Sequence, residues 1–169
     1  MEKLKFDFDF IGVQNYTREV IRYNFFIPIM RGKERSPKKR HVEMTEMGWE
    51  VYPEGIYKLL KKFAAYKDVK KLYVTENGVA FKDDISTSLN KTEQVHDTKR
   101  IQFFKDYLAQ VLKAKNEGVN VNGYFVWSLM DNFEWQEGYR TRFGLIYNDF
   151  QTQKRIIKDS GYWFKEFLK

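Results

Sequence analysis

A glutamate follows a strongly apolar stretch in KLYVTENGVA, residues 71–80. Leu72, Tyr73 and Val74 are typical of a buried strand, Glu76 stands at its carboxyl end, and an Asn-Gly pair then turns the chain. In folds built from parallel strands and helices, functional side chains lie at the carboxyl ends of strands. Glu76 is therefore a candidate for chemistry. The alternative is a tight turn that carries a solvated glutamate.

A second group of candidates stands in VWSLMDNFEW, residues 126–135, where aromatic rings neighbour acidic and amide side chains. Flat apolar rings beside hydrogen-bonding groups suit a ligand that has an apolar face and a polar rim. A sugar is such a ligand. The alternative is that the rings only pack against helices, as we expect for most of the phenylalanines.

Three strand-then-helix units are expected to position these residues. Ile56, Leu59, Leu60 and Phe63 recur at helical spacing, and Gly118 follows a second helical pattern where a left-handed cap is expected. Such alternation predicts parallel strands joined by helical crossovers. The predicted strands are 8–14, 71–75 and 121–129. One predicted helix begins at about 53, and two further helices span 92–116 and 157–168.

The composition excludes several kinds of site. The 169 residues include no Cys, so disulfides, thiolate catalysis and thiolate zinc sites are excluded. Two isolated histidines, His41 and His96, give little support to a metal site, and nothing indicates a cofactor. Much of the net charge of +7 lies in RGKERSPKKR, residues 31–40, which is typical of a solvated loop. We therefore expect no nucleic-acid partner.

The chain length and its terminal segment indicate a single soluble unit. Residues 1–169 fit one domain, and 43% are apolar, which is enough for a sizeable core. The stretch MEKLKFDFDF has no signal-peptide pattern, and no segment approaches the roughly 20 apolar residues of a membrane span. We therefore expect a cytoplasmic protein without a membrane partner.

Several stretches together resemble the C-terminal portion of glycoside hydrolase family 1, the β-glucosidase family. They occur in family order over nearly the whole chain: DFIGVQNYT, MGWEVYPEGIYKLL, LYVTENG, VWSLMDNFEW, GYRTRFGLIYND and KRIIKDSGYWF. The resemblance implies an α/β fold, namely about strands 6–8 with their helices from a (β/α)8 TIM barrel. It also implies retaining hydrolysis of β-glycosides, and residues 1–169 would then form a partial TIM-barrel glycosidase domain.

The resemblance assigns catalysis to Glu76 and Tyr16. Glu76 matches the nucleophile, which attacks the anomeric carbon while a second carboxyl group, ~5–5.5 Å away, protonates the leaving oxygen. Tyr16 matches the tyrosine that donates a hydrogen bond to this nucleophile; the alternative is a half-buried core tyrosine. Gln14 occupies a position where the family most often has Asn. It can contact the substrate 2-hydroxyl or the nucleophile.

The same resemblance assigns substrate binding to five further residues. Trp127 matches the ring beneath the glycone sugar, and Glu134 and Trp135 match the pair that binds its distal hydroxyls. Phe143 matches an aromatic that helps to close the pocket, and Trp49 matches a platform for the aglycone. Simple packing remains the alternative for the three tryptophans, and a solvated loop carboxylate for Glu134. A carboxylate here would repel a phosphate, so we expect unphosphorylated glucosides.

Some charged and amide residues of the pattern are expected to be structural. Asp97 and Arg100 share one helix face through their i, i+3 spacing, and neighbouring His96 has no evident partner for chemistry. Asp131 and Asn132 are expected to fix a loop by hydrogen bonding.

The motif for the general acid/base, Asn-Glu-Pro, does not occur in the sequence. Three strands cannot close a barrel, so we expect the isolated chain to be inactive toward β-glucosides. Its expected partners are a β-glucoside or other small carbohydrate and a complementary N-terminal part of the barrel. The alternative functions are a non-catalytic carbohydrate-binding remnant and a structural remnant of the barrel.

Overall fold

A three-stranded parallel sheet forms the centre of the structure, a computed structural model that describes residues 7–88 and 93–169. Its elements alternate between strands and helices along the chain. In chain order they are β1 Ile11–Gln14, β2 Ile21–Tyr23, β3 Gly32–Glu34, a short 3-10 helix Pro37–Arg40, α1 Glu54–Ala64, β4 Leu72–Asn77, β5 Asp84–Thr87, β6 Glu93–His96, α2 Thr98–Asn116, β7 Val121–Val126, β8 Ile146–Asn148, β9 Arg155–Ile157 and α3 Asp159–Phe167.

The central strand is β4, with β1 on one side and β7 on the other. Both pairings are parallel, with Val13 opposite Val74 and Leu72 opposite Val121. The crossovers pass through α1 and α2, as the alternating pattern predicts. Within the described residues, β1 and β7 have no second strand neighbour, so each presents a free edge.

The main core lies between this sheet and the two crossover helices. The predicted stripe of α1 is confirmed, because Ile56 and Leu60 are fully buried while Leu59 and Phe63 pack at the margin. The longer helix α2 contributes aromatic and aliphatic side chains to the same cluster. The buried residues contributed by strands and helices are Val13, Ile56, Leu60, Leu72, Val74, Phe103, Phe104, Tyr107, Leu108, Val111, Ala114 and Val121.

Helix α2 begins later than the sequence pattern predicts. Residues 93–96 form β6, which pairs antiparallel with β5, and the helix starts at Thr98; Thr92 lies outside the described residues. Val95 is buried between exposed neighbours, an alternation that a strand provides and a helix does not. The other end is as expected, because Gly118 has a φ of +89° just beyond the helix.

The last predicted strand and helix are each shorter than expected. Strand β7 ends at Val126 because the backbone then leaves the sheet and pairs with the segment at Phe143 and Leu145. The final helix starts at Asp159, since 155–157 form β9 and pair with β8. Among the residues that the structure describes, no helix has the length and apolar character needed to cross a membrane.

Candidate active site

Eight side chains surround a cavity of about 340 Å³ at the carboxyl end of the sheet. Gln14 is the last residue of β1, Glu76 is the penultimate residue of β4, and Trp127 follows β7 directly. Parallel strands bring their carboxyl ends to one edge of a sheet, which explains why distant sequence segments meet here. The cavity contains every candidate site residue of the sequence: Gln14, Tyr16, Trp49, Glu76, Trp127, Glu134, Trp135 and Phe143.

A hydrogen bond joins the two candidate catalytic residues. The Tyr16 hydroxyl donates to Oε2 of Glu76 at 2.7 Å. Burial, together with this bond to Glu76, raises the pKa of Tyr16 well above its ordinary value. The phenol therefore keeps its proton at neutral pH and remains a donor to the carboxylate.

Three aromatic rings form one wall of the cavity. The ring centroids of Tyr16 and Trp49 are 5.5 Å apart, and Phe143 lies 6.3 Å from each of them. These distances are typical of packed aromatic pairs. Trp49 therefore packs against Tyr16 and faces the cavity, so packing and ligand contact are compatible at this position.

The second carboxylate of the cavity belongs to Glu134. The indole nitrogen of Trp127 donates to its Oε1 at 3.1 Å. Burial raises the pKa of Glu134, the bond from Trp127 opposes that rise, and the charge of Glu76 adds to it. Glu134 is thus a hydrogen-bond acceptor that faces the same space as the Tyr16–Glu76 pair.

A tight loop presents Glu134 and Trp135 at the cavity rim. The amide of Glu134 donates to the carbonyl of Gly138 at 2.8 Å, and the reverse bond is 2.7 Å long. Gly138 has a φ of +61°, which suits glycine in such a turn. The side chain of Trp135 is 93% exposed, so it can rotate toward a ligand with little loss of packing.

The cavity differs in charge from the rest of the chain. Among the described residues, its lining includes two carboxylates and neither Lys nor Arg, whereas the chain has a net charge of +7. A larger cavity of about 780 Å³ is lined by residues 22–26, 33–36 and 39, and Glu34 is the only acidic side chain among these described residues. The smaller cavity is therefore the better candidate for carboxylate chemistry.

A buried cluster of charged side chains, the ionic cluster, holds the loops that carry these residues. Asp131 accepts hydrogen bonds from Arg142 at 2.8 Å and from Lys158 at 2.9 Å. Arg100 pairs with Asp97 and Asp83 and donates to the carbonyl of Arg142 at 2.8 Å. The structural assignment of Asp97, Arg100 and Asp131 therefore agrees with their contacts, and Asn132 hydrogen-bonds Ser128 in the same loop.

The segment from Trp127 to Leu145 closes on itself. The Ser128 amide donates to the carbonyl of Phe143 at 3.2 Å, and the Leu145 amide donates to the carbonyl of Ser128 at 3.0 Å. The Gly144 amide donates to Asp131 at 2.9 Å. Two walls of the cavity, Trp127 and Phe143, are thereby held against each other.

Sequence reasoning missed several residues that support the site. Asn77 and Tyr124 form a hydrogen bond beside Glu76. Lys158 is fully buried in the ionic cluster, although its sequence context resembles a solvated charge run. The only sequence feature that indicated its burial was its position just before the aromatic-rich last helix. His96, without an evident partner in sequence, hydrogen-bonds Asp159 at 2.8 Å and Ser86 at 3.0 Å.

Within residues 7–88 and 93–169, no three His, Asp or Glu side chains are grouped so that they could hold a metal ion.

Comparisons with known proteins identify the family. The sequence profile of glycosyl hydrolase family 1 matches residues 1–169. Beta-glucosidase A of Thermotoga maritima is 44% identical over 169 residues, which are 100% of this chain and 36% of the relative. A 6-phospho-beta-galactosidase of Clostridium acetobutylicum is 49% identical over 125 residues, which are 73% of this chain and 25% of that protein.

A solved structure confirms the fold. The beta-glucosidase from Thermotoga maritima in complex with castanospermine superposes with a TM-score of 0.84 at 44% identity, covering 95% of this chain and 34% of the solved chain. The parallel strands and crossover helices are thus the matching part of an α/β barrel. The chain spans about a third of the length of this relative. With the profile match over residues 1–169, it follows that the chain belongs to glycosyl hydrolase family 1.

Proposed function

We propose that this chain supplies the nucleophile and most of the sugar-binding wall of a retaining β-glucosidase. The observation that carries the proposal is the 2.7 Å hydrogen bond from Tyr16 to Glu76 inside a cavity that also holds Glu134 and Trp127. The phenol orients one oxygen of Glu76 and leaves the other free to react.

The chemistry follows from two carboxyl groups. A Glu76 oxygen forms a bond to C1 of the sugar while the bond from C1 to the aglycone oxygen breaks, and that oxygen takes a proton from a second carboxylic acid. Water then attacks C1, gives its proton to the same second group, and releases Glu76.

The second carboxyl group is assigned to a complementary part of the barrel. Among the described residues that line the cavity, the only other carboxylate is Glu134, which accepts from Trp127 and is suited to bind sugar hydroxyls. The free edges of β1 and β7 offer the sites where further strands can pair. We therefore propose that the isolated chain is inactive toward β-glucosides and that the completed barrel is active.

The charge of the cavity favours an unphosphorylated sugar. One relative is a 6-phospho-beta-galactosidase, so a 6-phosphorylated galactoside is a specific second candidate. The described lining has two carboxylates and no Lys or Arg, so it would repel a phosphate dianion. We expect the completed barrel to hydrolyse an aryl β-glucoside and to prefer it strongly over the aryl 6-phospho-β-galactoside, with kcat/KM measured in parallel.

A non-catalytic alternative is a domain that binds a carbohydrate through its aromatic rings and carboxylate. The exposed Trp135 and the packed rings of Tyr16 and Trp49 would suit carbohydrate binding equally well. The Tyr16–Glu76 bond favours catalysis, because binding alone has no need for an oriented nucleophile.

Trapping of the glycosyl-enzyme tests the proposal. The chain is coexpressed with the complementary N-terminal portion of the Thermotoga maritima relative, and the complex is treated with an activated 2-deoxy-2-fluoro-β-glucoside. Peptide mass spectrometry is expected to find the sugar on Glu76, while the matched Glu76→Gln complex remains unlabelled and inactive. A complex that turns over β-glucosides without any label on Glu76 would contradict the proposal.

A further inference from the structure

Asn77 is fully buried directly after the nucleophile candidate and hydrogen-bonds both neighbouring strand segments. Its Nδ2 donates to the carbonyl of Asn15 at 2.5 Å, just beyond β1. Its Oδ1 accepts from the hydroxyl of Tyr124 in β7, also at 2.5 Å. One amide side chain thus reaches from β4 to both flanking segments.

These bonds lie where the sheet is irregular. The pairing of β1 with β4 shifts register between Val13 and Gln14, and that of β4 with β7 shifts between Val74 and Asn77. Such irregularities interrupt the regular ladder of backbone hydrogen bonds. The relative position of the three strand ends therefore depends on added contacts, and the Asn77 amide provides two of them.

We propose that Asn77 is a positioning residue that, through Asn15 and Tyr124, keeps the Tyr16 hydroxyl on Glu76. Tyr16 is the residue after Asn15, so the carbonyl that Asn77 holds belongs to the peptide unit that leads into Tyr16. The backbone carbonyl of Asn77 also accepts from the Trp127 amide at 2.9 Å, which joins the sugar-binding wall to the same point. This inference rests on the proposed function.

The residue type follows from the two partners. An amide offers a donor at one end and an acceptor at the other, which matches a carbonyl and a hydroxyl. Asp would place a carboxylate oxygen against the carbonyl of Asn15. Ala would leave the partly buried Asn15 carbonyl and Tyr124 hydroxyl without their partner.

A matched pair of tyrosine variants separates positioning from general stability. Tyr124→Phe removes the hydroxyl that bonds Asn77 and keeps the ring. Tyr107→Phe removes another buried hydroxyl, which accepts from the Tyr52 amide at 3.1 Å in the core and does not line the cavity. Both variants are expected to lose a similar, modest part of the free energy of unfolding, but only Tyr124→Phe should disturb the Tyr16–Glu76 bond.

The first measurement needs the chain alone. With ¹³Cζ-labelled tyrosine, the NMR signal of Tyr16 is expected to move in Tyr124→Phe and in Asn77→Ala, and to stay in place in Tyr107→Phe. Circular dichroism identifies a variant that has failed to fold. An unchanged Tyr16 signal in folded Tyr124→Phe would overturn the proposal.

The second measurement uses the completed barrel and the fluorinated glucoside. Tyr124→Phe is expected to slow the maximal trapping rate by about tenfold with the half-saturating concentration unchanged, because about one hydrogen bond's worth of orientation is lost. Tyr107→Phe should trap at the wild-type rate, and equal rates for the two variants would count against Asn77. If the wild-type complex is never trapped, the proposed function fails. The NMR signal of Tyr16 in the isolated chain then still tests whether Asn77 positions Tyr16.

Discussion

The ionic cluster and the β2–β3 hairpin, residues 21–34, differ in how their side chains are satisfied: the cluster pairs its charged groups, whereas the hairpin leaves large apolar groups exposed. The cluster pairs three acidic with three basic side chains, all of them buried except the partly exposed Arg142: Asp83, Asp97, Arg100, Asp131, Arg142 and Lys158. The hairpin leaves Phe26, Ile29 and Met30 88%, 99% and 85% exposed. Charges that would be costly if unpaired are satisfied, while apolar groups that favour burial are not.

The contrast shows which parts of the structure are complete within this chain. The wall behind the candidate site is closed by the chain's own residues, so the loops of Glu76 and Glu134 are held without outside help. The hairpin follows β1, whose far edge has no strand neighbour among the described residues. Exposed apolar surface and a free sheet edge are each typical of a surface that a further protein segment covers.

Breaking the ionic cluster should have the largest effect on stability. Arg100 is fully buried and bonds two carboxylates and three backbone carbonyls. Arg100→Met should lower the free energy of unfolding by about 3–5 kcal/mol, because it leaves buried Asp97 without an ion-pair partner and removes one of the two partners of Asp83. Urea unfolding measures the loss, and Arg140→Met, at an exposed pair with Glu137, should show no comparable loss. Equal effects of the two changes would show that the cluster does not close the wall.

A second ionic contact, formed by Glu50 with two arginines, should sharpen the comparison. Glu50, next to Trp49, accepts from Arg18 at 2.8 Å and from Arg40 at 2.6 Å. These arginines lower the pKa of Glu50 to about 2. Since the pKa is lower in the folded chain, the stabilisation is present above the unfolded value of about 4.3 and is lost as pH falls toward 2.

Glu50→Gln should therefore lower the free energy of unfolding at neutral pH by about 2 kcal/mol and flatten its dependence on pH between about 4.5 and 2. Urea unfolding at several pH values checks both effects. Glu117→Gln is the matched control at an exposed site, where Tyr57 and Lys61 lower the pKa of Glu117; it should flatten the pH dependence much less, because solvent screens these contacts. A pH dependence that survives Glu50→Gln would refute this assignment.

The smallest effect on stability is expected at the hairpin. Phe26→Ser should change the free energy of unfolding by no more than about 0.5 kcal/mol, because the ring makes few contacts. It should reduce self-association of the isolated chain, measured by sedimentation velocity over a range of concentrations. Tyr66→Ser, at an exposed ring outside the hairpin, is the control. If both variants self-associate as the wild type does, the hairpin is not the surface through which the chain self-associates.

Sequence reasoning predicted the gathering of the cavity residues but not what fixes them. Glu76 and Trp127 each end or follow a parallel strand, so the topology alone brings them together. Lys158 could not be recognised, because a lysine in a charged run is usually solvated and only tertiary packing shows otherwise. The Asn-Gly pattern predicts a turn at Asn77, whereas its amide joins β4 to β7 and to the segment just beyond β1. The sequence pattern predicts that helix α2 begins at 92, because the pairing of β6 with β5 at Val95 leaves no signal in the local sequence.

The self-closing loop from Trp127 to Leu145 has a practical consequence for engineering. Backbone hydrogen bonds between Ser128 and the segment 143–145 join its two ends, and the Asp131 carboxylate accepts a hydrogen bond from the Gly144 amide. A Cβ at Gly144 would lie 2.1 Å from the Asp131 nitrogen, so this crossing admits only glycine. If the proposed function holds, sugar preference should therefore be exchanged between relatives by replacing the whole loop, because single substitutions inside it would conflict with this fixed backbone.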